Sequence, residues 1–235
     1  MKFKRIITIL LSIIVLILSF SCKQRTKISG HIANYNKQYA VLYKLTPSSI
    51  EAEDTVLLTN GHFVHYPKVE NISVYLLRFN DTCFASFILQ ALDTLYIKAT
   101  APNINRSMEI KGNIETDLLQ QTRQQLFLLE DSVKKLSDYF IAHQYDTQLD
   151  SLHRILENQF NIYYDNHRAY LMNFIEKNPD KLASLLAFYQ TLGRNSFFSP
   201  SEDKAILQNI YQTLSQTYPN SEYILDLGEK LSIND

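Results

Sequence analysis

The sequence predicts an α+β protein: an N-terminal antiparallel β-sandwich or partly open barrel, followed by a helical domain built on a long antiparallel helical hairpin. Three observations carry this. From Lys27 to about Gly112 apolar and polar residues alternate, with turn residues roughly every eight to twelve positions, the pattern of many short strands. At Asn113 the apolar period changes from two to that of a helix and stays so to the end. With 235 residues, 46% hydrophobic and 20% charged, the chain is long enough to bury one large core or two that share a face.

The amino terminus reads as an address. Lys2, Lys4 and Arg5 precede the apolar run Ile6 to Phe20, which is followed by Ser21, Cys22 and a polar stretch. As a helix that run covers about 22 Å, short of the roughly 30 Å hydrocarbon core, so a signal peptide over 1–21 fits better than an uncleaved anchor. The segment Leu18-Ser19-Phe20-Ser21-Cys22 resembles a bacterial lipobox, with Leu18 one position early and Phe20 bulky; Ser19 and Ser21 would also suit an ordinary signal peptidase. The chain has two cysteines, Cys22 and Cys83, and one falls on the expected first mature residue. The reading is a lipidated Cys22 with a tether over 22–26, then a β-sandwich domain over 27–112 and a helical domain over 113–235.

Eight strands are expected in the first of these. Ile28, Gly30 and Ile32 alternate with Ser29, His31 and Ala33; Tyr39 to Leu45 follows; Asp54 to Thr59 runs into Asn60-Gly61, a strong hairpin signal, and Phe63 to Tyr66 returns. Ile72 to Phe79 and Phe84 to Leu89 are apolar on both alternating sets and need covering on both faces. Leu92 to Ala99 and Met108 to Lys111 complete the set before Gly112.

Thr122, Leu126, Leu129, Val133, Leu136 and Phe140 lie on one stripe of a helix that begins near Glu115. Leu149, Leu152, Leu156, Phe160, Tyr163, His167 and Tyr170 repeat the spacing, and the short segment His143 to Asp146 makes the pair an antiparallel hairpin. Asn178-Pro179 is expected to stop the second helix and cap a third over Lys181 to Leu192. Ser199 or Ser201 caps a fourth over Glu202 to Tyr218, and Ser221 a fifth to Leu231.

Composition excludes more chemistry than it suggests. Five glycines leave little for phosphate-binding loops, and 23 Lys+Arg against 24 Asp+Glu give no excess to hold a nucleic acid. Neither a nucleophile elbow nor a His-Glu-x-x-His helix occurs, so no catalytic residue, metal site or cofactor is expected. Cys83, opening an apolar strand, reads as a small hydrophobe. His153, Glu157 and His167 could share a helix face but lack a third convergent ligand, and His62 and His65 point to opposite faces of their strand. The adjacent Phe197 and Phe198, between Gly193 and Pro200, either tuck between helices as a core plug or form a contact for a partner.

Ile28-Ser29-Gly30-His31-Ile32, Asp54-Thr55-Val56 leading to Asn60-Gly61-His62-Phe63, the closing Glu109-Ile110-Lys111-Gly112 and the downstream Phe174-Ile175-Glu176-Lys177-Asn178-Pro179 resemble a DUF4369-type lipoprotein. In such proteins this accessory N-terminal region precedes a thioredoxin-like thiol-disulfide oxidoreductase domain. The resemblance implies an architecture and an address in the bacterial envelope, lipid-anchored and facing the periplasm, with the outer membrane as the expected membrane. It does not carry redox activity over, because the sequence holds no Cys-x-x-Cys pair. The expectation is a non-catalytic binding or scaffold lipoprotein that meets membrane lipid through Cys22 and an envelope protein or glycan through its folded part. The alternative is an accessory to a separately encoded thioredoxin-like protein, or an enzyme with an unrecognised site.

Overall fold

A computed structural model describes residues 25–145 and 148–233. Eight strands come first: β1 (Lys27–Ala33), β2 (Tyr39–Leu45), β3 (Ile50–Leu57), β4 (His62–His65), β5 (Ser73–Arg78), β6 (Phe84–Leu89), β7 (Thr94–Thr100) and β8 (Glu109–Lys111), with the short helix α1 (Ile104–Ser107) between the last two. They form two four-stranded sheets of order β4-β1-β7-β8 and β3-β2-β5-β6. Their inner faces meet in one core: Ile28, Ile32, Leu95 and Ile97 from the first sheet against Leu42, Leu77, Phe87 and Leu89 from the second. The open sandwich matches expectation. Its first sheet is nevertheless mixed, because β1 and β7 run parallel, Ile28 beside Leu95 and Ile32 beside Ala99. Alternation alone shows which face a residue takes, not which strand lies beside it.

The second sheet is covered twice. Tyr75, Leu77, Phe87 and Leu89 point into the sandwich, whereas Val74 and Ile88 point the other way into a second core made by the helices. These helices are α2 (Ile114–His143), α3 (Leu149–Lys177), α4 (Leu182–Phe188), α5 (Lys204–Thr217) and α6 (Glu222–Ile233). The doubly apolar strands β5 and β6 thus sit in the middle of three layers, as their composition requires.

The long helices α2 and α3 pair as the expected hairpin. Asn113 caps α2, its Oδ1 accepting the Thr116 amide at 2.7 Å. Three local expectations are corrected. Asn178 is the C-cap of α3 and not the N-cap of α4; its amide bonds back to Phe174 and Ile175. The helix α4 stops at Phe188 well before Leu192, because Thr191–Leu192 and Asn195–Ser196 pair as a small hairpin, β9 and β10, turned by Gly193 at φ +61°. Asp203 precedes α5 in place of a serine cap, and its carboxylate accepts the Ser199 amide at 2.9 Å.

Candidate functional site

The site is built at the sheet edges that face α2. β6 is an edge strand of its sheet, and side chains fill its free side as a neighbouring strand would. The Phe84 amide donates to Asn105 Oδ1 at 2.9 Å, and the Ser86 carbonyl accepts Gln120 Nε2 at 2.9 Å. The Ile88 amide and carbonyl both meet Thr116 Oγ1, at 3.0 and 2.9 Å, and the carbonyl also accepts Asn113 Nδ2. Asn113, Thr116 and Gln120 are spaced three and four apart and so run down one face of α2.

One turn further on, Arg123 lies in a groove of about 760 Å³ bounded by α1, β8 and the first turns of α2. Its guanidinium is 5.1 Å from the Phe84 ring centre and 5.3 Å from that of Phe127, and one N–H reaches Ser86 Oγ at 3.1 Å. Burial pulls the Arg123 pKa down against the opposing effect of Glu130, yet an arginine keeps its charge in any such setting. Arg106, over the same Phe127 ring at 4.4 Å, is already paired with Asp131 at 2.9 Å and Glu130 at 3.4 Å. Arg123 makes no ion pair among the described residues, and four of its five N–H donors are unspent. Lys111, Gln121 and Gln124 add donors at the rim, where the exposed carboxylates of Glu109 and Asp117 also stand.

Two buried polar groups, Glu115 and His167, help hold the helices together. Glu115, 2% exposed, accepts the amides of Leu182 at 3.2 Å and Ala183 at 3.1 Å and the Tyr218 hydroxyl at 3.0 Å. It therefore caps the start of α4 from another helix, although burial outweighs these bonds and raises its pKa. His167 bonds Gln190 Oε1 at 2.7 Å, and burial lowers its pKa despite that bond. Beside it, in a shallow seam between α2 and α3, the buried Tyr170 hydroxyl has no hydrogen-bond partner.

The residues singled out from sequence are scattered. Phe197 and Phe198 are 3% exposed each; Phe197 lies against Tyr164 and His167, and Phe198 stacks on Phe188 at 5.1 Å. The expectation of a partner contact at these rings is corrected, since rings enclosed by the chain's own helices offer nothing to a partner. His153 and Glu157 approach to 4.0 Å on an exposed helix face, whereas His167 is buried, so the three share no site. His62 stacks on His31 at 4.0 Å and His65 turns to Asp54 at 3.5 Å, on opposite faces as the alternation requires. Cys83 is a half-buried free thiol packed at the edge of the sandwich core. Among the described residues no three His, Cys, Asp or Glu side chains converge on a point that could hold a metal. Signal segment and Cys22 lie outside the described residues, as does part of the expected hairpin tip at Asp146.

Sequence reasoning passed over Arg123 and Glu115. A trace of the first was present: Arg123 and Phe127 stand four apart on a helix, the spacing that lays a guanidinium on a ring.

Residues 26–119 match the family described as Domain of unknown function (DUF4369). The match takes in both sheets, α1 and the opening of α2 with Asn113, Glu115 and Thr116, and ends just before the turn that carries Gln120 and Arg123. No curated protein matches the chain.

Proposed function

We propose that this protein is a non-catalytic binding module of the bacterial cell envelope, tethered by lipid on Cys22, whose folded part holds its partner in the α1-β8-α2 groove. The observation that carries the binding role is Arg123, a half-buried guanidinium with one hydrogen bond and no ion pair among the described residues, placed in a groove of ligand size. A charge so placed is costly to the chain alone and is compensated when an acceptor arrives. The tether is supported by the basic, apolar, Ser21-Cys22 order of the first residues. No helix among the described residues is long and apolar enough to cross a membrane, so the described part offers no helical span of its own.

A photoreactive residue in place of Gln124, at the groove rim of the full chain in intact cells, tests the binding role. A discrete crosslinked product that Arg123→Gln removes is expected; a protein that crosslinks to nothing, or equally with and without Arg123, overturns it. The tether is tested separately by intact mass. The membrane-extracted protein should exceed the 22–235 polypeptide by a diacylglyceryl and N-acyl adduct, and a bare polypeptide beginning at Cys22 would end that part of the reading.

A further inference from the structure

We infer that the groove takes the C-terminal end of an extended peptide, which adds as a strand to the open edge of β8 and seats its terminal carboxylate on Arg123. This rests on reading the groove as a binding site and adds the chemistry of the ligand.

Three features point to it. The first is the contrast between two edges. On the free side of β6, Asn105, Gln120, Thr116 and Asn113 bond the Phe84 amide, the Ser86 carbonyl and both backbone groups of Ile88. β8 is the edge of the other sheet, and its backbone receives no such side-chain bond among the described residues. A protein that bonds side chains along one strand edge and leaves its neighbour open presents a template for strand addition.

The second is the path of the groove. Met108, Glu109, Ile110 and Lys111 all line it, although successive side chains of a strand point to opposite faces. Consecutive residues share one wall when the groove follows the edge of a strand and not its face. An extended chain is the shape that fits there.

The third is the charge. Arg123 is half-buried and makes no ion pair among the described residues, whereas Arg106 is held by Asp131 and Glu130. The rim carries Lys111 against Glu109 and Asp117, so the groove as a whole is not basic. A polyanion would meet those two carboxylates, whereas a single carboxylate reaching Arg123 satisfies its fork of donors. Gln121 and Gln124 on the opposite wall can bond the remaining peptide groups, because an amide both donates and accepts.

The full chain, purified in detergent, is challenged with a fluorescent pentapeptide library bearing free C-termini and with the same library amidated. Retention of free-carboxyl peptides is expected, with amidation weakening binding of the best peptide about tenfold or more. Arg123→Gln should do the same and Arg123→Lys should lie between, since lysine offers charge without the fork. Nuclear Overhauser contacts between the peptide backbone and the Glu109–Lys111 backbone should report the added strand. The amidation arm needs no variant, so it decides even if Arg123→Gln fails to fold. Equal retention of free and amidated peptides overturns the carboxylate seat, and no retention from either library overturns the peptide. In both cases the crosslink at Gln124 shows separately whether the groove binds something else.

Discussion

Glu115 has three donors where water would otherwise stand, and two of them are backbone amides that open another helix. Glu115→Ala should therefore lower unfolding stability by about 2–4 kcal/mol in a urea titration, because the Leu182 and Ala183 amides stay buried without an acceptor. Glu115→Gln, which keeps one oxygen, should cost less. His167 gives a pH dependence whose sign is fixed by the direction of its shift. Its folded pKa lies below its ordinary value of 6.5, so below that pH the unfolded chain binds a proton that the folded chain resists. Its contribution is complete above pH 6.5 and is lost as the pH falls from there to the folded value. The Tm should fall between pH 7.5 and pH 5.5, and less so in His167→Gln. The rings at Phe197 and Phe198 are core by burial, and Phe198→Ala should cost about 3–5 kcal/mol. The core plug at Phe197 and Phe198 was one of two readings the sequence offered, whereas the capping role of Glu115 was not legible in it. A glutamate in the first turn of a helix reads as a favourable surface charge, and only the arrival of α4 sixty-odd residues later turns it into a buried cap.

At the scale of elements, the long hairpin is supported unevenly. The buried side chains of α2 end at Leu129, and those of α3 begin at His167, so beyond the Arg106 pairs with Glu130 and Asp131 the far half of each helix is only partly covered. Exposed Tyr139, Ile141 and Tyr145 mark that stretch. Hydrogen exchange should run much faster from Lys134 to His143 than from Thr116 to Leu129, and uniform protection along α2 would contradict the packing. Here the sequence was informative about existence and silent about depth. Val133, Leu136 and Phe140 continue the apolar stripe without a break, yet they are only partly covered, because periodicity gives the direction of a face and not the number of layers against it. The same limit applies to α4. Its apolar run continues through Tyr189 and Leu192, and nothing before Gly193 announces that the chain will turn into a two-stranded hairpin. Strand edges were equally hidden: Asn113, Thr116 and Gln120 look like a polar helix face until β6 is seen beside them.

For the whole molecule, the second sheet is the shared wall between two cores, and its composition did show this in advance. Residues 26–119 expressed alone would keep the sandwich interior but expose Ile72, Val74 and Ile88. Such a fragment should aggregate or melt well below the full chain in a thermal scan; equal stability would show that the helices merely abut the sheet.

Glu115 carries a further consequence for how such a protein could be rearranged. It lies inside the stretch that matches the family, whereas the donors that hold it, Leu182, Ala183 and Tyr218, all lie beyond. The stretch is thus not a cassette that can be spliced to any C-terminal companion. A recombinant that joins it to a different partner inherits a carboxylate with no donors, and it must either supply a helix start at the same place or replace the acid with an apolar residue. Glu115 together with a downstream helix beginning is therefore a mark by which to tell transplanted copies from those that kept their original company.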